Sequence, residues 1–135
     1  MLAPKKQKYR KSFRGKNRGV ATRGSLVSFG EFGLKALAGG LVSAAQIESA
    51  RKAISHYTKR EGKVWIRIFP DKPVTGKAAG VGMGAGKGDI KEYVAVVKPG
   101  RMLFELAGVG LDIAKQAFNR AAAKLPMKTK LINRL

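Results

Sequence analysis

Five glycines at positions 80, 82, 84, 86 and 88 alternate with Val81, Met83, Ala85 and Lys87. Bare backbone N–H groups beside a lysine are what a phosphate-cradling loop requires, but the known spacings are not met. The pattern GxxxxGK[ST] ending at Gly86-Lys87 needs Gly at 81 and Ser or Thr at 88, where the chain has Val81 and Gly88. The dinucleotide pattern GxGxxG fails too: counted from Gly80 its sixth position is Ala85, and from Gly82 it is Lys87. Nucleotide hydrolysis therefore has no motif to rest on.

Other reactive types are sparse. His56 is the only histidine and there is no cysteine, so an imidazole–thiolate metal set and a disulfide framework are both excluded. A lone imidazole in a helical stretch reads as a helix-surface residue. The eight carboxylates, Glu31, Glu48, Glu61, Asp71, Asp89, Glu92, Glu105 and Asp112, are scattered without the clustering of a two-metal site. Trp65 and Phe69 offer rings for base stacking, but their place in an apolar strand favours core packing. No cofactor or small-molecule substrate is expected.

Charge is the strongest signal. Lys and Arg number 28 against 8 Asp and Glu, a net charge of +20 over 135 residues. A compact body carrying this charge repels itself unless a polyanion neutralises it, which points to nucleic acid. A membrane surface would call for a basic helix with a bulky apolar face, and the helical segments here are Ala-rich. The first 30 residues contain no acid, and Lys5, Lys6, Lys8, Arg10, Lys11, Arg14, Lys16, Arg18 and Arg23 crowd there with Tyr9 and Phe13. Too few apolar residues accompany them to offset an ordering cost of about 1–2 kcal/mol per residue, so the arm is expected to be mobile alone and ordered on a polyanion. The glycine segment admits two readings, a plain linker or a backbone that lies close against RNA. In the second, Lys77 and Lys87 neutralise phosphate, Gly82, Gly84, Gly86 and Gly88 permit approach, and Met83 packs on a nucleotide.

These groups need a scaffold. At this length one domain is expected, burying about 68% of the surface of the unfolded chain, and 44% hydrophobic content supports a core. The division is residues 1–24 as a basic extension and 25–135 as the globular part. Val27 and Phe29 alternate as in a short strand. Ser43 and Gln46 have the capping-box spacing, and Ile47, Ala50, Ile54 and Tyr57 follow at helical intervals, predicting a helix over 44–60. Its outer positions Arg51, Lys52, Lys59 and Arg60 make that face basic. Residues 64–69 alternate with apolar groups on both faces, predicting an interior strand that Pro70 stops. Residues 70–73 read as a turn. Strands at 93–97 and 102–106 should form a hairpin across Lys98-Pro99-Gly100-Arg101, a type II turn sequence. A second helix opening at Asp112 should bury Ile113, Ala114, Ala117, Phe118, Ala121 and Leu125 before Pro126 ends it, with a last strand at 128–132. The expected class is α+β: two helices on a mainly antiparallel sheet, with a long basic N-terminal extension and a Gly-rich loop. No run approaches a membrane span, and the charged first ten residues do not suit a signal peptide.

Taken together, KYRKSFRGKNRGVATRG (8–24), SFGEFGLKAL (28–37), KREGKVWIRIFPDKPVT (59–75), MGAGKG (83–88), VVKPGRMLFEL (96–106) and AAAKLPMKTKL (121–131) closely resemble the bacterial-type large-subunit ribosomal protein sixteen family. The resemblance spans nearly the whole chain. It implies an α+β, non-enzymatic protein of the cytoplasmic ribosome that binds large-subunit rRNA beside other large-subunit proteins and approaches the elbows of tRNAs in the aminoacyl and peptidyl sites. By that resemblance, residues 5–23 would thread between rRNA helices toward the peptidyl-transferase region, and residues 77–88 would face rRNA and approach tRNA. Two departures stand out. Gly82 replaces the arginine that commonly precedes Met-Gly and is hydroxylated in some bacteria, and Ala45 replaces an arginine common before Gln-Ile-Glu. The alternative outside this family is a free-standing basic nucleic-acid-binding or RNA-chaperone module.

Overall fold

The computed structural model describes residues 1–77, 82, 84 and 86–134. Seven strands and two helices follow one another as β1 (Phe32–Ala36), β2 (Gly40–Ser43), α1 (Ala44–Tyr57), β3 (Lys63–Ile66), β4 (Lys72–Gly76), β5 (Asp89–Val97), β6 (Met102–Ala107), α2 (Leu111–Ala122) and β7 (Thr129–Asn133). The α+β expectation holds, with all pairings antiparallel. The strands divide between two sheets, one ordered β3-β6-β1-β7 and the other β2-β5-β4.

Helix α1 begins where local chemistry dictates. The Gln46 N–H donates to Ser43 Oγ at 3.2 Å and the Ser43 N–H donates to Gln46 Oε1 at 2.9 Å, closing the capping box. Ile47, Ala50 and Ile54 are buried. The helix stops at Tyr57 rather than continuing to 60, because Lys59 and Arg60 turn into the left-handed region and their N–H groups close onto the His56 and Ser55 carbonyls at 3.3 and 2.9 Å in place of the helical i−4 bonds. Helix α2 starts at Gly110, whose lack of a side chain leaves it without a capping bond, and Asp112 in the first turn complements the helix dipole. Ala114, Ala117, Phe118 and Ala121 pack against α1 and the sheet as expected, the full burial of Phe118 being worth roughly 1.5–3 kcal/mol and each alanine methyl about 0.8 kcal/mol. Ile113 departs from the expected stripe and is 41% exposed; Leu125 is buried just beyond the helix end.

Several strand expectations are corrected by long-range pairing. Val27 and Phe29 lie in no strand; the segment is held instead by side-chain bonds described below. The run from 64 is an edge strand of its sheet, not an interior one, since β3 pairs only with β6. Val64 and Ile66 pack on the core, and the outer face carries Trp65, stacked on Phe29 with ring centroids 6.1 Å apart. Neither Trp65 nor Phe69 joins the buried core; Phe69 is 46% exposed. Residues 72–76 form β4 rather than a turn, with Pro73 tolerated because β4 is itself an edge. The 98–101 turn does form, Gly100 taking φ +95° and the Arg101 N–H bonding the Lys98 carbonyl at 3.1 Å. It joins no hairpin, however: β5 pairs with β2 and β4, while β6 runs between β3 and β1. The turn carries the chain from one sheet to the other.

Candidate nucleic-acid interface

From residue 1 to 31 the backbone forms no helix or strand, and it is tied to the body by isolated hydrogen bonds. The Gln7 side chain donates to the Asp71 carbonyl and the Lys72 ammonium to the Arg14 carbonyl. Asn17 Nδ2 donates to the Val97 carbonyl at 2.7 Å, and the Ala21 N–H to the Pro99 carbonyl at 2.9 Å. The arm thus passes the start of β4 and the end of β5. Lys5, Lys6, Lys8, Tyr9, Arg10, Arg14, Lys16, Arg18 and Arg23 are exposed, and Lys11 is half-buried. Phe13 is 94% exposed, and the Lys8 ammonium sits 5.6 Å above the Tyr9 ring.

The arm meets the glycine loop. Lys87 Nζ donates to the Ser12 carbonyl at 2.6 Å, and Lys11 Nζ returns to the Lys87 carbonyl at 3.3 Å. Within the loop Lys77 Nζ reaches the carbonyls of Gly82 and Gly84. Gly82, Gly84 and Gly86 are exposed, with no atom near the place a β-carbon would occupy. Gly88 closes the loop, half-buried and backed by the Gly76 carbonyl. Met83 lies outside the described residues. These ammonium groups hold neutral carbonyls, and a phosphate is a stronger partner for each.

The remaining expected cations sit elsewhere. Arg51 is drawn into an ion pair with Glu48, which holds the Glu48 carboxyl below its ordinary value. Lys52 is exposed on α1. Lys59 and Arg60 follow the helix with φ of +54° and +63°, two consecutive non-glycine residues in the left-handed region. Among the described residues, Lys52, Lys59 and Arg60 share no hydrogen bond with the arm or loop. His56 is exposed on the helix surface, as expected, and no group of three potential metal ligands occurs among the described residues.

Sequence reasoning missed the cluster that anchors the arm's end. Glu105, in the central strand β6, is fully buried, and its Oε1 accepts the N–H groups of Ser28, Phe29 and Gly30 at 3.0, 2.7 and 2.8 Å. Its Oε2 accepts from Arg67, whose guanidinium also reaches the Leu26 carbonyl at 3.1 Å and lies 5.2 Å from the Phe29 ring. Burial pushes the Glu105 carboxyl up, but the bonds from Gly30, Arg67 and Phe29 and the Arg67 charge outweigh it and hold the group below its ordinary value of 4.5. Arg101 completes the set by donating to the carbonyls of Arg67 at 2.6 Å and Arg23 at 3.3 Å. The available signal was an acid inside the apolar strand MLFEL, which demands a buried partner.

Among the described residues only Glu48 and Glu105 of the eight acids are in ion pairs, so the positive surplus stands uncompensated within the chain. A small two-sheet α+β body with a cationic arm and loop tied together defines a basic scaffold protein. The chain matches the family described as Ribosomal protein L16p/L10e over residues 4–132, and it belongs to that family. It is accordingly a structural constituent of the large ribosomal subunit and a component of translation, in a family that is not enzymatic.

Proposed function

We propose that the chain binds large-subunit rRNA through the extension formed by residues 1–24 together with the loop of residues 77–88, and lies beside tRNAs in the aminoacyl and peptidyl sites. The single observation that carries this reading is the arm–loop contact through Lys11, Ser12 and Lys87, which gathers two acid-free basic segments onto one flank of the body. The globular part, residues 25–135, supplies the rigid mount. Lys52, Lys59 and Arg60 add a second contact region, with Arg51 contributing through the part of its guanidinium not held by Glu48. Phosphate contacts of this kind fix position and carry no base information. Within the subunit the chain lies beside other large-subunit proteins.

If six arm cations meet phosphates, the logarithmic salt slope of rRNA affinity should approach −0.9 × 6, about −5 on duplex. Deleting residues 1–18 should leave the body folded by circular dichroism, flatten that slope, and impair subunit incorporation or peptidyl transfer. A truncated protein with unchanged slope, incorporation and transfer would refute the reading.

A further inference from the structure

Helices α1 and α2 pack with their C-terminal ends together, and between those ends lies an open groove of about 570 Å³ lined by His56, Tyr57, Lys59, Arg120 and Lys124 over the small side chain of Ala53. No acid lines it. Cations at helix C-termini ordinarily serve the helix dipole and the free carbonyls. Here four of those carbonyls are already occupied: Ile54 by Thr58, Ser55 by the Arg60 N–H at 2.9 Å, His56 by the Lys59 N–H at 3.3 Å, and Ala121 by the Lys124 N–H at 2.9 Å. Among the described residues Lys59, Arg60, Arg120 and Lys124 form no ion pair. The Arg120 guanidinium lies 4.9 Å from the Tyr57 ring, a stacking that orients it without neutralising it.

The turn that presents Lys59 is strained. Lys59 and Arg60 both hold positive φ, a conformation costing roughly 1–2 kcal/mol per non-glycine residue. The turn is fixed from behind by Gly62, also at positive φ, where a β-carbon would fall 2.2 Å from the Ala107 carbonyl oxygen. Two glycines would relieve that strain, yet the sequence retains two cations. Strain kept at a charged, preformed groove points to a ligand.

We propose that this groove seats a phosphodiester segment of RNA, with Lys59, Arg120 and Lys124 contacting phosphate oxygens. The inference rests on the rRNA-binding reading and adds a docking point separate from the arm and loop. Binding of the full chain to a transcript of large-subunit rRNA, measured over a series of salt concentrations, tests it. Arg120→Gln and Lys124→Gln should each lower affinity roughly fivefold near physiological salt and reduce the slope by about 0.7–0.9. Arg120→Lys should keep the slope. Lys59→Gly should raise the thermal midpoint while weakening RNA binding, a divergence that a purely structural role would not produce. Wild-type affinity and slope in all three charge-removing variants would overturn the groove proposal and leave the arm reading intact. A wild-type chain with no salt-dependent affinity for the transcript would defeat both.

Discussion

Arg67, one residue beyond β3, forms an ion pair with Glu105 of β6, and this carboxylate, shared with the 28–30 backbone, is the only acidic side chain in the core among the described residues. In the register Glu105 stands opposite Gly33 on one side and Trp65 on the other, so a missing side chain and an indole frame it. One buried anion thereby collects three backbone N–H groups and a guanidinium. It replaces the ladder bonds that residues 28–30 do not make.

Removing that anion should be costly. Glu105→Ala strands the Arg67 guanidinium and three N–H groups, and loss of one partner of a buried pair typically costs about 3–5 kcal/mol. Urea denaturation should show a midpoint lowered accordingly, and hydrogen exchange should show residues 28–30 losing protection before β1 does. A Glu105→Ala midpoint within error of wild type would contradict this role.

Acid should act through the same group. The Glu105 pKa is lowered in the folded protein, so its contribution is fully present above the unfolded value near 4.5 and is lost as pH falls from there through the lower folded value. Stability measured across that window should drop more steeply for wild type than for Glu105→Gln, which has no proton to gain.

Gly62 is a second point of intolerance. A methyl group there would meet the Ala107 oxygen at 2.2 Å in a backbone conformation that side chains rarely adopt, and Gly108 packs against the same glycine. Gly62→Ala should cost about 2 kcal/mol or more and be read as a lowered thermal midpoint.

The two helix starts predict opposite responses. Ser43→Ala removes the bond to the Gln46 N–H and should cost about 1 kcal/mol. Gly110→Asp supplies a cap that α2 lacks, in open space and at a φ of −73°, and should gain a few tenths of a kcal/mol. Chemical denaturation of the two variants against wild type measures both.

What was legible in the sequence follows from the range of the interactions involved. Helix α1 was readable because its start is set within three residues, by Ser43 and Gln46, and α2 because Ala114, Ala117, Phe118 and Ala121 repeat at helical spacing. The expected hairpin failed because its turn is local, while β5 is held between β4 and the distant β2, more than 50 residues back along the chain, and β6 between β3 and the distant β1. Lys63–Ile66 looked interior since apolar residues face both ways; the outer face is covered by Phe29, from a segment with no strand of its own. The arm and the glycine loop were evident as charge and composition, but their junction at Ser12 and Lys87 depends on backbone carbonyls that no residue pattern reports. The groove stayed hidden because its walls are more than 60 residues apart and Tyr57 and Arg120 become neighbours only once the helices pack.

The 98–101 corner couples the leading segment to the architecture. Pro99 accepts from Ala21, Met102 donates to Gly24, and Arg101 grips the Arg23 carbonyl, all where the chain crosses between sheets. A pull on the tether is therefore delivered to the seam of the molecule instead of to a free rim. Whatever anchors the tether also loads the line along which the two sheets are joined.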